Sequence, residues 1–191
     1  MVYPLSRLTN QAPPGVVAPV DDPLQHLVAC HDRIEERLQT LERVALHIRS
    51  DSEAMRQDAH QSLDNALKFL EAMGALHTED EESSLFPRLL AKDCPDSDLL
   101  RELVEMLESQ HREKEGVLEK LMAHAQKLPS APEMPSADQE MILQSLVEHL
   151  AMLYRPHIMV ENQRLIPLSA EYLAAPDLEE MRQEMRSRRG L

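Results

Sequence analysis

The chain has 191 residues, enough for one domain with a real core plus short tails but short for two full domains. Four glycines, no tryptophan, three tyrosines, two phenylalanines and 11 methionines suit an all-α protein and exclude a β-sandwich or barrel, which needs more aromatic, β-branched and turn residues. Thirty-four acidic against 20 basic side chains give a formal charge of −14, which repels phosphate backbones and anionic membrane surfaces, so the folded body has no nucleic-acid or membrane partner.

Residues 1–20 hold four of the 13 prolines and no helical periodicity, and read as a flexible, proline-rich N-terminal arm. Asp21-Asp22-Pro23 supplies an N-cap and a first-turn proline, after which Leu24, Leu27, Val28, His31, Ile34, Leu38, Leu41, Ala45 and Ile48 recur at helical spacing. Ser50-Asp51-Ser52-Glu53 breaks this first helix and caps a second, whose stripe of Met55, Ala59, Ala66, Leu70, Met73, His77 and Glu81 ends near Phe86-Pro87. Cys94-Pro95-Asp96-Ser97 opens a third helix, striped by Leu100, Leu103, Leu107, His111, Glu115, Leu118, Leu121, Ala125 and Leu128. Residues 129–135 contain three prolines and form a linker. A fourth helix carries Leu143, Leu146, Leu150, Leu153, His157 and Glu161 up to Ile166-Pro167, with a kink expected at Pro156. Pro176 starts a short amphipathic tail helix outside the bundle, and its Arg182, Arg186, Arg188 and Arg189 read as a solvated helix end.

Four amphipathic helices of this length joined by short connections predict an antiparallel up-down-up-down four-helix bundle over residues 21–170, with residues 171–191 as a C-terminal helical tail. The two cysteines, Cys30 and Cys94, make no C-x-x-C motif and read as free thiols in a reducing compartment. With no apolar run long enough to span a membrane and no signal-peptide core at the start, the reading is a soluble, cytoplasmic protein.

Four of the nine histidines carry a glutamate four residues downstream: His31/Glu35, His77/Glu81, His111/Glu115 and His157/Glu161. Random placement yields roughly one such pair. The steps from His31 to His77 and from His111 to His157 are both 46 residues, and the second pair is the first displaced by 80. The same offset relates Leu85-Phe86-Pro87 to Leu165-Ile166-Pro167, which suggests two helix hairpins related by a pseudo-twofold axis. His26, His47, His60, His124 and His149 fall outside the pattern.

Residues i and i+4 lie about 40° apart around a helix, so each His and its Glu are expected on one face, and that face is the apolar stripe. Eight inward groups are then expected. Buried imidazoles and carboxylates without counter-charge are too costly, whereas divalent cations offset that cost. Four imidazoles with two to four carboxylates suit two metal ions bridged by carboxylate, with iron the natural choice and zinc or manganese left open by ligand type.

The segments Cys30-His31-Asp32-Arg33-Ile34-Glu35, His77-Thr78-Glu79-Asp80-Glu81-Glu82-Ser83-Ser84-Leu85-Phe86-Pro87, Glu108-Ser109-Gln110-His111-Arg112-Glu113-Lys114-Glu115 and Leu153-Tyr154-Arg155-Pro156-His157-Ile158-Met159-Val160-Glu161 resemble the hemerythrin-like, HHE cation-binding family. The resemblance covers residues 22–170 and implies an antiparallel four-helix bundle around a di-iron centre that meets dioxygen, peroxide or nitric oxide. By position it implies His31, His77, His111 and His157 as iron ligands, with Glu81 and Glu161 as bridging carboxylates. Oxygen-carrying members have His-x-x-x-His on the third helix, where this chain has Glu115, with Glu35 as its mate on helix one. Extra anionic ligands favour ferric iron, which shifts the expectation from reversible oxygen carriage toward iron sensing or storage, or peroxide and redox chemistry.

Of the neighbouring residues, Tyr154 is read first as packing and second as a donor to the site or a ligand, Glu82 and Glu79 as solvated neighbours rather than ligands, with a hydrogen bond from a ligand histidine to Glu82 as the second reading, and the methionines as core filler. No phosphate loop or nucleophile elbow is present. The leading function is a di-iron protein handling oxygen species or iron. A regulatory module read by an unknown protein partner, and a purely structural bundle, are the alternatives.

Overall fold

The structure is a computed structural model that describes residues 20–191. The proline-rich arm read over residues 1–20 lies outside them apart from Val20, which is buried. The described residues form helices and connecting turns only. Helix α1 (Pro23–His47) starts where Asp22 accepts a hydrogen bond from the Gln25 amide at 3.0 Å, with proline in the first turn. Ser52 caps α2 (Glu53–Phe69), and Ser136 and Gln139 form a reciprocal capping box on α6 (Ala137–Val160). Between these, α5 (Ser97–Ala125) is the longest α-helix. Helices α1 and α2 pack together, as do α5 and α6, while α1 also packs on α6 and α2 on α5.

The second and fourth helices run past the points where the sequence places their ends. After α2 the chain passes through a π-helical turn (Leu70–Gly74), α3 (Ala75–Asp80), a second π turn (Glu81–Leu85) and α4 (Phe86–Leu90) without a break. After α6 it passes through a π turn (Glu161–Leu165) into α7 (Ile166–Tyr172). Proline interrupts an α-helix because it lacks an N–H and clashes with the carbonyl four residues back. Here the turn just before each proline is widened: the amides of Phe86 and Ile166 donate to the carbonyls of Glu81 and Glu161, five residues back, and Pro87 and Pro167 then enter as first-turn residues of new α segments. The equivalent bonds at an offset of 80 residues match the internal symmetry in the sequence.

Two apolar clusters fill the interior. One gathers Ile34 to Ile48 of α1, Ala59 to Leu70, Val117 to Leu128 and Leu143 to Tyr154. The other gathers Leu24, Leu27, Leu85 to Leu89, Leu100 to Leu107, Leu165 and the tail. Each long helical segment therefore passes from one cluster to the other, and His31, His77, His111 and His157 fall at the crossing level. No helix among the described residues is long and apolar enough to cross a membrane.

The tail helix α8 (Ala175–Arg188) corrects the reading of a solvated basic end. Met181 and Met185 are wholly buried, and α8 packs on α1 and α3. Arg188 and Arg189 both donate to Asp80, at 2.8 Å and 3.1 Å from their Nη1 atoms to Oδ1. The side chains of Arg189 and Asp80 are fully enclosed. Two apolar residues four apart bind the helix to the body and carry its arginines inward with them.

Candidate metal centre

Six of the eight residues marked by the sequence converge. His31 comes from α1, His77 from α3, His111 from α5 and His157 from α6, while Glu81 and Glu161 are the first residues of the two π turns that precede the prolines. All six are buried, the two glutamates completely. They form two groups that share both carboxylates: His31, His77, Glu81 and Glu161, and Glu81, His111, His157 and Glu161. In each group one ligand atom per residue lies within 4.8 Å of every other.

The carboxylates divide their oxygens between the groups. Glu161 Oε2 is 3.1 Å from His31 Nε2, whereas its Oε1 is 2.6 Å from His157 Nε2 and 3.9 Å from His111 Nε2. Glu81 Oε1 is 3.6 Å from His77 Nε2, and its Oε2 is 3.3 Å from His111 Nε2. These approaches are close but badly angled for hydrogen bonds, since all four carboxylate oxygens and the Nε2 atoms of His111 and His157 lack a partner of acceptable geometry. Leaving so many buried polar atoms unpaired is expensive. A pair of cations, each facing one group, would satisfy them, so the residues fit a dinuclear site with two carboxylate bridges.

Three of the four Nδ1 atoms are set for this role, while that of His77 is buried without a partner. His31 Nδ1 donates to Asn162 Oδ1 at 2.8 Å, His157 Nδ1 to Gln110 Oε1 at 2.8 Å, and His111 Nδ1 to Glu82 Oε1 at 2.7 Å. A proton held on Nδ1 leaves the Nε2 lone pair facing inward, and the hydrogen bond fixes the ring. The Glu82 contact matches the second of the two readings the sequence allows it, and the Glu82 side chain is still 38% exposed. Gln110 and Asn162 were missed there; the only signal was adjacency, one residue before His111 and one after Glu161.

Two residues correct the eight-group expectation. Glu35 turns outward to Arg155, whose Nη2 lies 3.0 Å from Glu35 Oε1, and remains 34% exposed. Glu115 is exposed. Positions i+3 and i+4 straddle a helix face at about −60° and +40° from residue i, and the rotation of the helix decides which one faces inward. On α3 and α6 it is i+4. On α1 and α5 it is i+3, so Ile34 and Lys114 take the inward places that the sequence reading gave to Glu35 and Glu115.

Without cations the cluster must share protons. Burial and the nearby Glu161 charge push Glu81 upward, while Glu161, despite burial, is held well down by His111, His157 and His31. His111, although burial alone would lower it, is driven up to about 9 by Glu161 and Glu81. Burial lowers His157 to about 4 and Lys114 to about 8. Such opposed shifts follow from packing two carboxylates against four imidazoles out of water.

Cys30, buried beside His31, receives a contact from Arg33 Nη2 at 3.3 Å to Sγ, and neither cysteine forms a disulfide. Glu79 is exposed and lies 3.4 Å from Arg188 Nε.

Comparison with known proteins agrees with this geometry. Residues 22–169 match the hemerythrin HHE cation binding domain. A search of curated proteins found no match. With more than three quarters of its length matched and a shared cluster of four imidazoles and two carboxylates at its centre, the chain belongs to the hemerythrin HHE cation-binding family.

Proposed function

We propose that this chain is a non-haem di-iron protein that binds, senses or reacts with small oxygen species (dioxygen, peroxide or nitric oxide) or handles iron. One observation carries the reading: each of two buried carboxylates presents one oxygen to each of two histidine pairs. In this reading His31 and His77 hold one ion, His111 and His157 hold the other, and Glu81 and Glu161 bridge them. Two ions so placed would supply an electron reservoir within reach of a small ligand. The chain's own residues orient the imidazoles through Asn162, Gln110 and Glu82, and flank the site with apolar layers on both sides. The order in which the helices cross between the apolar layers supports an antiparallel up-down-up-down bundle. With Glu35 and Glu115 outside the cluster, the argument that extra carboxylates favour ferric iron no longer applies.

A second reading, a regulatory module without catalysis, draws on the tie between α8 and Asp80. Asp80 lies on the segment between His77 and Glu81, so changes at the site reach an outer helix that a partner can contact. Protein from iron-supplied cells tests the main proposal by iron content and by absorption spectra taken before and after peroxide. Two irons per chain and a near-ultraviolet band that changes on peroxide addition are expected. A metal-free protein, or one holding a single zinc, would refute it.

A further inference from the structure

A cavity of about 560 Å³ runs from the surface between α3 and α5 down to His111. Its lining carries Glu71, Glu79, Glu82, Glu115 and Glu119 with Arg112, and its buried wall carries Lys114 and Tyr154. Lys114 is 4% exposed and Tyr154 6% exposed. The Lys114 ammonium lies 4.7 Å from the centre of the Tyr154 ring. Neither Lys114 Nζ nor Tyr154 Oη makes a hydrogen bond or ion pair among the described residues, although both are strong donors. Gly74 lies beside the hydroxyl, where a methyl group would make ordinary contact with Tyr154 Oη at 3.5 Å.

We propose that Lys114 and Tyr154 form a subsite for a small monoanion at the inner end of this cavity, beside the pair of histidine–glutamate groups. The proposal rests on the di-metal reading above and deepens it. The charge balance gives the main reason. Two divalent ions would outweigh Glu81, Glu161 and Glu82, the carboxylates that act on Lys114, so a lysine would not be needed there to neutralise them and would add to a positive excess. An ammonium and a hydroxyl on buried residues, both lining the cavity and both without an acceptor in the protein, supply the donors that an incoming anion would use. The acidic lining narrows the class, because carboxylates repel multiply charged anions and pass neutral molecules and singly charged ones more readily. Nitrite belongs to this class, and at the mildly alkaline pH of the test inorganic phosphate, mainly a dianion there, does not.

The test is calorimetric titration of metal-loaded protein at mildly alkaline pH with nitrite, and separately with inorganic phosphate, with the metal content of every sample measured independently. The wild type binds nitrite more tightly than phosphate. Lys114→Met and Lys114→Gln retain metal and bind nitrite at least tenfold more weakly, Lys114→Arg keeps most of the affinity, and Tyr154→Phe loses a smaller part. Unchanged nitrite affinity in a metal-replete Lys114→Met or Lys114→Gln protein would overturn the proposal, as would equal or tighter binding of phosphate. Loss of metal from both neutral variants, with Lys114→Arg loaded normally, would also overturn it by making the lysine a support of the metal groups. A wild type that takes up no metal at all would instead refute the di-metal reading, a result visible in the metal analysis before any anion is added.

Discussion

Replacing Asp80 by Ala tests whether α8 is a structural part of the site. Asp80 is fully buried and faces Arg188 and Arg189, whose side chains are 15% and 0% exposed. Arg188 keeps Glu79 and the Ser84 hydroxyl when the carboxylate is removed, but Arg189 keeps only the Met185 carbonyl at 2.8 Å. One guanidinium is then buried with little compensation. Removing one partner of a buried ion pair costs about 3–5 kcal/mol. For a chain of this size that lowers the melting temperature by roughly 6–20 °C. Urea denaturation of metal-free protein, followed by helical circular dichroism, reads the loss without interference from metal binding. Asp64→Asn removes the exposed Lys68 pair, in which both side chains are more than half exposed, and should cost less than about 1 kcal/mol. Replacing Asp80 and Arg189 together by Leu and Met should recover most of the loss, because an apolar pair no longer strands a charge. If Asp80→Ala costs no more than Asp64→Asn, α8 is a loosely attached tail and the account of its arginines is wrong.

Three further outcomes follow from the site. His77→Ala and His157→Ala should each remove at least half of the bound metal, whereas Glu35→Gln and Glu115→Gln should leave it unchanged, as measured by elemental analysis. Equal loss in both sets would show that the six-residue assignment is mistaken. Metal loading of the apoprotein at neutral pH should release at least one proton per chain, because His111, protonated up to about 9, must give up its proton to bind. Metal affinity should therefore rise with pH through that value. In apoprotein the same raised value contributes stability that is complete below the ordinary histidine value of 6.5 and is lost as pH rises through about 9. Chelation should lower the melting temperature, since a metal present at a hundred times its dissociation constant adds about 2.7 kcal/mol; an unchanged transition would indicate a site on the surface.

The bundle was legible in the sequence because each helix shows an apolar stripe and the first two show capping signals, and the centre was legible because one spacing recurs in all four helices. The failures have local physical causes. A glutamate four residues after a histidine occupies one of two near-equivalent angular positions, and only the packed rotation of the helix shows that Glu81 and Glu161 face inward while Glu35 and Glu115 do not. For the same reason the inward place of Lys114 on α5 has no mark in the sequence. Pro87 and Pro167 looked like helix ends because the π turns that accommodate them leave no compositional mark. Arg188 and Arg189 read as solvent-facing because their partner, Asp80, lies more than a hundred residues away in the chain.

Anomalous diffraction at the iron edge from crystals of iron-loaded protein tests the central claim most directly. The account predicts two peaks per chain, one facing His31 and His77 and the other facing His111 and His157, with Glu81 and Glu161 in contact with both. A single peak, or an ion coordinated by Glu35 or Glu115, would contradict it.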